Sequence, residues 1–410
     1  MGGSANAPVS RPAIGLTEDN AQLLLDPAGD GAPGWASSAG AFRQARRELS
    51  ALQPAYIRLL VDWAALQPNP GRPPDLTLPA SGCARTVGPC APYPGLGGEL
   101  AAIASEQRSR RAAGQAGPEV LIDILGAPSW AAAAPSGCEL AGAPSGARAL
   151  APDALEGYRE LIAAVVAQGR AAGVELRWWS PWNEPNDADF LTPQRARCDA
   201  SAEPVSPSLY AQLARAMAGA LHASDAGASI VLGELNGGAG DSPHATSVAG
   251  FVAGLPSGVV CLASAWSVHA YASYGSARRR GADGVAELEE VLARRGGCGT
   301  RAPVWVTETG AGAPHPGDPG RVSQGQELEA CRALAEDLAR WFADPRVAAV
   351  FQYSFRDDPA FPVGLASASL GSVHPTYGLW LSLARARADG SRAGVAAAAA
   401  GQRSSIPCTP

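Results

Sequence analysis

The 410-residue chain contains no lysine: all 32 of its basic residues are arginine. Against them stand 38 acidic residues, giving a formal charge of −6, so the positive excess that a nucleic-acid or anionic-lipid partner requires is missing. A neutral partner is expected. The eight cysteines include no C-x-x-C pair, which removes the usual zinc and dithiol-exchange patterns. Five scattered histidines form no H-x-x-x-H motif and no G-x-S-x-G elbow frames a serine, so neither a metal nor a cofactor is expected. No apolar run approaches the ~18 residues of a membrane helix, and the amino terminus, "MGGSANAP", lacks the apolar centre of an export signal.

What is present begins with those cysteines. Without metal spacing, an even number reads as structural disulfides, and disulfides persist outside the cytoplasm. The chain is therefore expected to be a soluble, exported protein. Eight cysteines allow about 105 pairings. Placement along the chain suggests Cys83 with Cys90, Cys138 with Cys198, Cys261 with Cys298 and Cys331 with Cys408.

Short apolar runs of β type alternate with longer amphipathic stretches. The runs are "AIGLTED" from Ala13, "AYIRLLVDW" from Ala55, "EVLIDILG" from Glu119, "ELRWWSPW" from Glu175, "SIVLGELN" from Ser229, "ASAWSVHAY" from Ala263, "APVWVTETG" from Ala302 and "VAAVFQYSF" from Val347. Stretches such as "ALEGYRELIAAVVAQGRAAG" and "GQELEACRALAEDLARWF" carry apolar residues at helical spacing between them. Eight such units predict one (β/α)8 barrel over residues 1–410; an open doubly wound sheet is the alternative, but no Gly-rich phosphate turn follows the first run. The long Pro/Gly-rich segments 67–98, 127–152, 186–207 and 357–375 all follow strands. They fall on the carboxyl face, where barrels bind ligands.

Two glutamates stand at strand ends on that face: Glu184, in "WNEPN" after the fourth run, and Glu308, in "TETG" at the end of the seventh. Far apart in sequence, they would meet across a barrel mouth. Facing carboxylates suit glycoside hydrolysis: at about 5–5.5 Å one serves as nucleophile and the other as acid and then base, whereas about 6.5–9.5 Å admits a water and inverts the anomeric centre. The rings of Trp178, Trp179, Pro181, Trp182 and Pro185 would raise the pKa of Glu184, and Arg58 on the second strand would reach Glu308 and hold it ionised. Glu234, ending the fifth run without an aromatic setting, reads as a wall residue. Trp63, Trp130, Trp182, Tyr353 and Phe355 lie at or past strand ends, where rings can stack on sugars or simply roof the core.

"WNEPN" closing a fourth strand and "VWVTETG" closing a seventh resemble the signature of clan A glycoside hydrolases over essentially the whole chain. "GAPSWA" and "YIRLLVDWAALQP" are most similar to family 39, with family 5 next. The resemblance implies Glu184 as acid/base, Glu308 as nucleophile, Asn183 as a ligand of the sugar 2-hydroxyl, and His269 and Tyr271 as a His-x-Tyr pair whose tyrosine orients the nucleophile. It implies a retaining hydrolase acting on a β-linked polysaccharide or oligosaccharide. An exo-acting β-xylosidase-like or α-L-arabinosidase-like enzyme, a transglycosylase and a non-catalytic carbohydrate-binding barrel are the alternatives.

Overall fold

The computed structural model describes residues 12–18, 39–78, 95–139, 142–224, 227–272, 283–311, 323–357, 361–388 and 408. Eight strands run through them: β1 (Ala13–Glu18), β2 (Tyr56–Asp62), β3 (Glu119–Leu125), β4 (Trp178–Ser180), β5 (Ser229–Asn236), β6 (Ala263–His269), β7 (Val304–Thr309) and β8 (Val347–Tyr353). All are parallel, neighbours in sequence are neighbours in space, and β8 closes on β1. With helices in every connection, this is the (β/α)8 barrel that the alternating runs predict. No described helix is long and apolar enough to cross a membrane.

Local chemistry explains the pieces. The helix Leu155–Ala172 stops at Gly173, whose φ of 76° closes the last turn. The helix Gln324–Ala343 starts on a capping box, in which Ser323 and Gln326 satisfy each other's backbone N–H groups. The same helix buries Ala330, Leu334, Leu338 and Trp341 on one stripe. β4 is the shortest strand, and Pro181, which has no N–H to give a ladder, follows it at once.

Strand alternation separates two apolar layers. Ile57, Leu59 and Val61 of β2 face the helices in the large outer core, while Leu121, Val231, Ala265, Trp305 and Phe351 fill the barrel with Tyr56 and Trp178. Within the barrel the rings of Tyr56 and Trp305 lie 4.9 Å apart, Trp178 and Trp305 4.7 Å, and Trp305 and Phe351 5.9 Å. β1 makes room for this plug by carrying Gly15, where a Cβ would sit 2.3 Å from the Phe351 ring.

Several connecting segments are fastened to one another. Cys138–Cys198 joins the β3 and β4 loops, Cys261–Cys298 the segments leading into β6 and β7, and Cys331–Cys408 ties Cys408 to the helix before β8. Three of the expected pairings are thus present; the fourth, Cys83 with Cys90, lies outside the described residues. Trp130 Nε1 donates to the Gln67 carbonyl at 2.8 Å, linking the β3 and β2 loops, and Glu139 meets His244 at 3.0 Å between the β3 and β5 loops.

Candidate active site

One rung above the aromatic plug the interior becomes ionic. Arg58 stands two residues beyond Tyr56 on β2, and its guanidinium is fully buried. Nη1 donates to Glu308 Oε1 at 2.7 Å. Nη2 reaches Asp123 Oδ2 at 2.7 Å, Glu234 Oε2 at 2.8 Å and Asn183 Oδ1 at 2.8 Å. Its two N–H groups are thereby shared among three oxygens. His269, at the end of β6, lies with Nδ1 2.7 Å from Glu184 Oε1 and 3.4 Å from Glu308 Oε2, and with Nε2 2.9 Å from Glu234 Oε2. The Tyr271 hydroxyl donates to Glu308 Oε2 at 2.5 Å.

Departures from regular strand geometry aim these side chains. Strict alternation along β5 would put Glu234 on the helix side with Ile230 and Leu232. Register shifts on both sides of Leu232, a φ of 116° at Gly233 and a φ of 52° at Glu234 instead turn the carboxylate inward and send Leu235 to the outer core. A Cβ on Gly233 would lie 2.2 Å from the Ser267 carbonyl, so only glycine fits that bulge. On β7, Val304 and Val306 face outward and Trp305 inward, and a register shift beyond Val306 brings Glu308 round to Arg58. Glu184 follows β4 with a φ of 38°, its N–H held by the Glu234 carbonyl at 2.9 Å.

The electrostatics divide the carboxylates. Burial pushes the Glu184 carboxyl above the usual range, Glu308 and Asp187 adding to this and the His269 hydrogen bond opposing it. Asp123 is also raised, by burial first, against the pull of Arg58. Burial would raise Glu234 too, but Arg58, His269 and the Thr307 hydroxyl outweigh it and push it down to about 2. For His269 burial favours the neutral ring, yet Glu308, Glu184 and Glu234 together push it up to about 10. Burial and the neighbouring Glu308 raise the Tyr271 phenol, which keeps its proton for donation.

The structure brings Glu184, Glu308, Asn183, Arg58, His269 and Tyr271 into one cluster, as expected. Tyr353 stands beside it, its ring 6.3 Å from Tyr271, and Phe361, which the sequence did not single out, packs edge-on to Tyr271 at 4.9 Å. Other expectations are corrected. Trp182 is fully buried, its indole donating to the Phe190 carbonyl at 2.8 Å, so it has no face for a sugar. Trp63 and Phe355 are likewise buried and roof the core. Trp130 is half-buried and holds its loop through Gln67. The tryptophans near Glu184 do not gather into one cluster: Trp178 belongs to the plug and Trp179 to the outer core, so enclosure among the strand ends sets the Glu184 pKa. Glu234 is no wall residue; it is a buried anion beneath the site.

Glu184, His269 and Glu308 each offer a donor atom within 4.8 Å of the others. That spacing suits a cation in the abstract. Here Arg58 already supplies the positive charge at Glu308, and a protonated His269 has no lone pair to give.

No protein-family profile and no curated protein matches the sequence. Solved structures match over nearly the whole chain. SrfJ from Salmonella typhimurium is 9% identical with a TM-score of 0.57, covering 92% of this chain and 74% of its own. A GH30 endoxylanase from Clostridium papyrosolvens C71 is 13% identical with a TM-score of 0.53, covering 92% and 72%. A GH5_18 protein from Streptomyces cattleya, solved with GlcNAc, is 18% identical with a TM-score of 0.54, covering 93% and 82%. At such identities the likeness establishes the shared barrel. Two of the three carry family 30 and family 5 designations, so the narrower resemblance to family 39 gains nothing from them.

Proposed function

We propose that the protein is a retaining glycoside hydrolase acting on a β-linked oligosaccharide or polysaccharide, with Glu308 as nucleophile and Glu184 as acid/base. The carrying observation is the pair itself: carboxylate oxygens of Glu184 and Glu308 lie within 4.8 Å of each other at the carboxyl face. Oxygens that close support double displacement, which uses carboxyl groups about 5–5.5 Å apart, over the gap of about 6.5–9.5 Å used for inversion.

The neighbours support these roles. Glu308 receives hydrogen bonds from Arg58 and Tyr271, which fix the orientation a nucleophile needs. Glu184 is raised by burial, which favours the protonated acid. In the first half-reaction Glu308 bonds to the anomeric carbon while the glycosidic bond breaks and the Glu184 proton passes to the departing oxygen. In the second, Glu184 takes a proton from water, whose oxygen attacks the anomeric carbon and frees Glu308. With Oδ1 engaged by Arg58, the NH2 end of Asn183 is the end available to a sugar hydroxyl. Tyr271, Tyr353 and Phe361 form an aromatic flank suited to a sugar face. The disulfides support a place of action outside the cytoplasm.

The test is a panel of aryl β-glycosides and oligosaccharides with wild type, Glu184→Gln and Glu308→Gln, the product anomer being read by NMR. Retention in wild type and loss in both variants are expected. Oligosaccharide binding without turnover, indifferent to either change, would replace this reading with a carbohydrate-binding barrel.

A further inference from the structure

Glu234 is assigned no part in the two-carboxylate reaction, yet its surroundings are tightly constrained. It is fully buried, and Oε2 accepts from Arg58 Nη2 at 2.8 Å, His269 Nε2 at 2.9 Å and Thr307 Oγ1 at 2.9 Å. Its backbone N–H is held by Ser267 Oγ at 2.6 Å, and its carbonyl accepts the Glu184 N–H at 2.9 Å. The bulge at Gly233 exists to point this one side chain inward, at the expense of left-handed backbone in a non-glycine residue. Such strain persists only where the surroundings over-determine it.

We propose that Glu234 is a positioning residue: its carboxylate fixes His269 in the doubly protonated form, so that the Nδ1–H is held between Glu184 and Glu308. An ionised carboxylate can only accept, so Nε2 must carry a proton to bond Glu234 at 2.9 Å. The second nitrogen then faces Glu184 at 2.7 Å and Glu308 at 3.4 Å, and an oxygen of each can accept its proton even while Glu184 carries the acid's proton on the other oxygen. The charged groups around the ring are Glu184 after β4, Glu234 on β5, Glu308 on β7, Asp123 on β3 and Arg58 on β2, with the Tyr271 phenol beyond β6. Arg58 lies 3.4 Å from Nε2 and opposes a second cation; Glu234, between the two, offsets it.

The purpose of a fixed positive charge there follows from the reaction proposed above, on which this inference rests. During the first half-reaction Glu308 becomes a neutral ester and Glu184 loses its proton, so the one negative charge of the pair crosses from β7 to β4. An Nδ1–H within reach of both oxygens stabilises that charge at either end without moving. Glu234 is what keeps the proton on Nδ1 when the pair's own charge is in transit.

Histidine side-chain 15N NMR on the intact protein tests this directly, since the chain has five histidines and His269→Gln assigns the signal. In wild type both His269 nitrogens should remain protonated across about pH 5–8, where an ordinary histidine loses its charge. Glu234→Gln, which keeps the shape and removes the charge, should lower the His269 titration by about 1–3 pKa units. Glu234→Asp, which keeps the charge but draws it back from Nε2, should lower it less, and in the same direction. With activity present, Glu234→Gln should reduce kcat while KM holds. A wild-type His269 protonated on Nε2 alone at neutral pH overturns the proposal. So does a natively folded Glu234→Gln with wild-type titration; if that variant does not fold, Glu234→Asp decides on the same terms. The spectrum needs no turnover. A charged His269 in a protein that hydrolyses nothing sinks the enzymatic reading alone, and a neutral His269 in an active one sinks only this inference.

Discussion

The barrel interior is filled by two successive rungs of the same strands with opposite chemistry. At the lower rung Tyr56, Trp178, Trp305 and Phe351 interlock as rings with Gly15 leaving them space. One step up, roughly 7 Å along the strands, Tyr56 gives way to Arg58, Leu121 to Asp123, and Trp305 to Thr307 beside Glu308. The lower rung gains from burial of apolar area, which is indifferent to pH. The upper rung pays a desolvation penalty at every group and stands only as a complete network. The plug seals the bottom of the ionic layer from water, which strengthens each interaction above it. Barrels commonly divide stability from chemistry along this axis, and here the division falls between residues two apart.

The largest effects should come from breaking the upper rung at the two carboxylates proposed to react. Glu308→Ala should lose more kcat/KM than the about 10²–10⁴-fold that a general acid–base group contributes. Added azide should restore part of the activity with inverted product, because a small anion can occupy the vacated place. Glu184→Ala should fall within that 10²–10⁴ range on substrates with poor leaving groups and lose far less on aryl glycosides whose leaving group needs no proton. Equal losses on both substrate types would remove Glu184 from the acid role.

Arg58→Met tests the network rather than the reaction. It leaves Asp123, Glu234 and Glu308 buried without their shared cation, a destabilisation of about 3–5 kcal/mol at neutral pH. The pH dependence has a definite sign. Glu234 in the wild type lies at about 2, below its unfolded value, so its contribution is complete above the unfolded value and fades as pH falls toward 2. Without Arg58 that depression is lost. The gap between variant and wild-type urea midpoints should therefore narrow from about pH 7 to about pH 4. A constant gap would mean that Arg58 acts by packing alone.

How much of this the sequence revealed also differs between the rungs. The strand runs mark the barrel because apolar periodicity is a local property, and Glu184 and Glu308 stand out because carboxylates at the ends of apolar strands need a reason. Arg58 is legible the same way, as a charge within "YIRLLVD", and Asp123 in "EVLIDIL" carries an equal signal. Glu234 reads as a wall residue for want of an aromatic setting, which says nothing of where its side chain faces, and alternation, the one facing rule a sequence offers, would send it outward. The Gly233 bulge breaks that rule through a contact with Ser267 on another strand. The assignment of Trp182 failed for a related reason: a ring past a strand end can turn toward cleft or core, and its hydrogen bond to Phe190 settles the choice only in three dimensions.

Gly15→Ala confines the perturbation to the lower rung and should give the smallest effect. Its new methyl would stand 2.3 Å from the Phe351 ring, so the plug must shift, at a cost typical of overpacking, about 1–3 kcal/mol. Beside the apolar plug residues Ala13, Leu121, Val231, Ala265 and Ala349, Phe351 meets the Tyr56 ring at 5.8 Å, and a phenol ordinarily titrates far above neutral pH. The loss in urea midpoint should accordingly be the same at about pH 7 and about pH 4, in contrast with Arg58→Met. A Gly15→Ala loss that varied with pH would show that movement of the rings reaches Arg58 and Asp123, and that the two rungs respond as one unit.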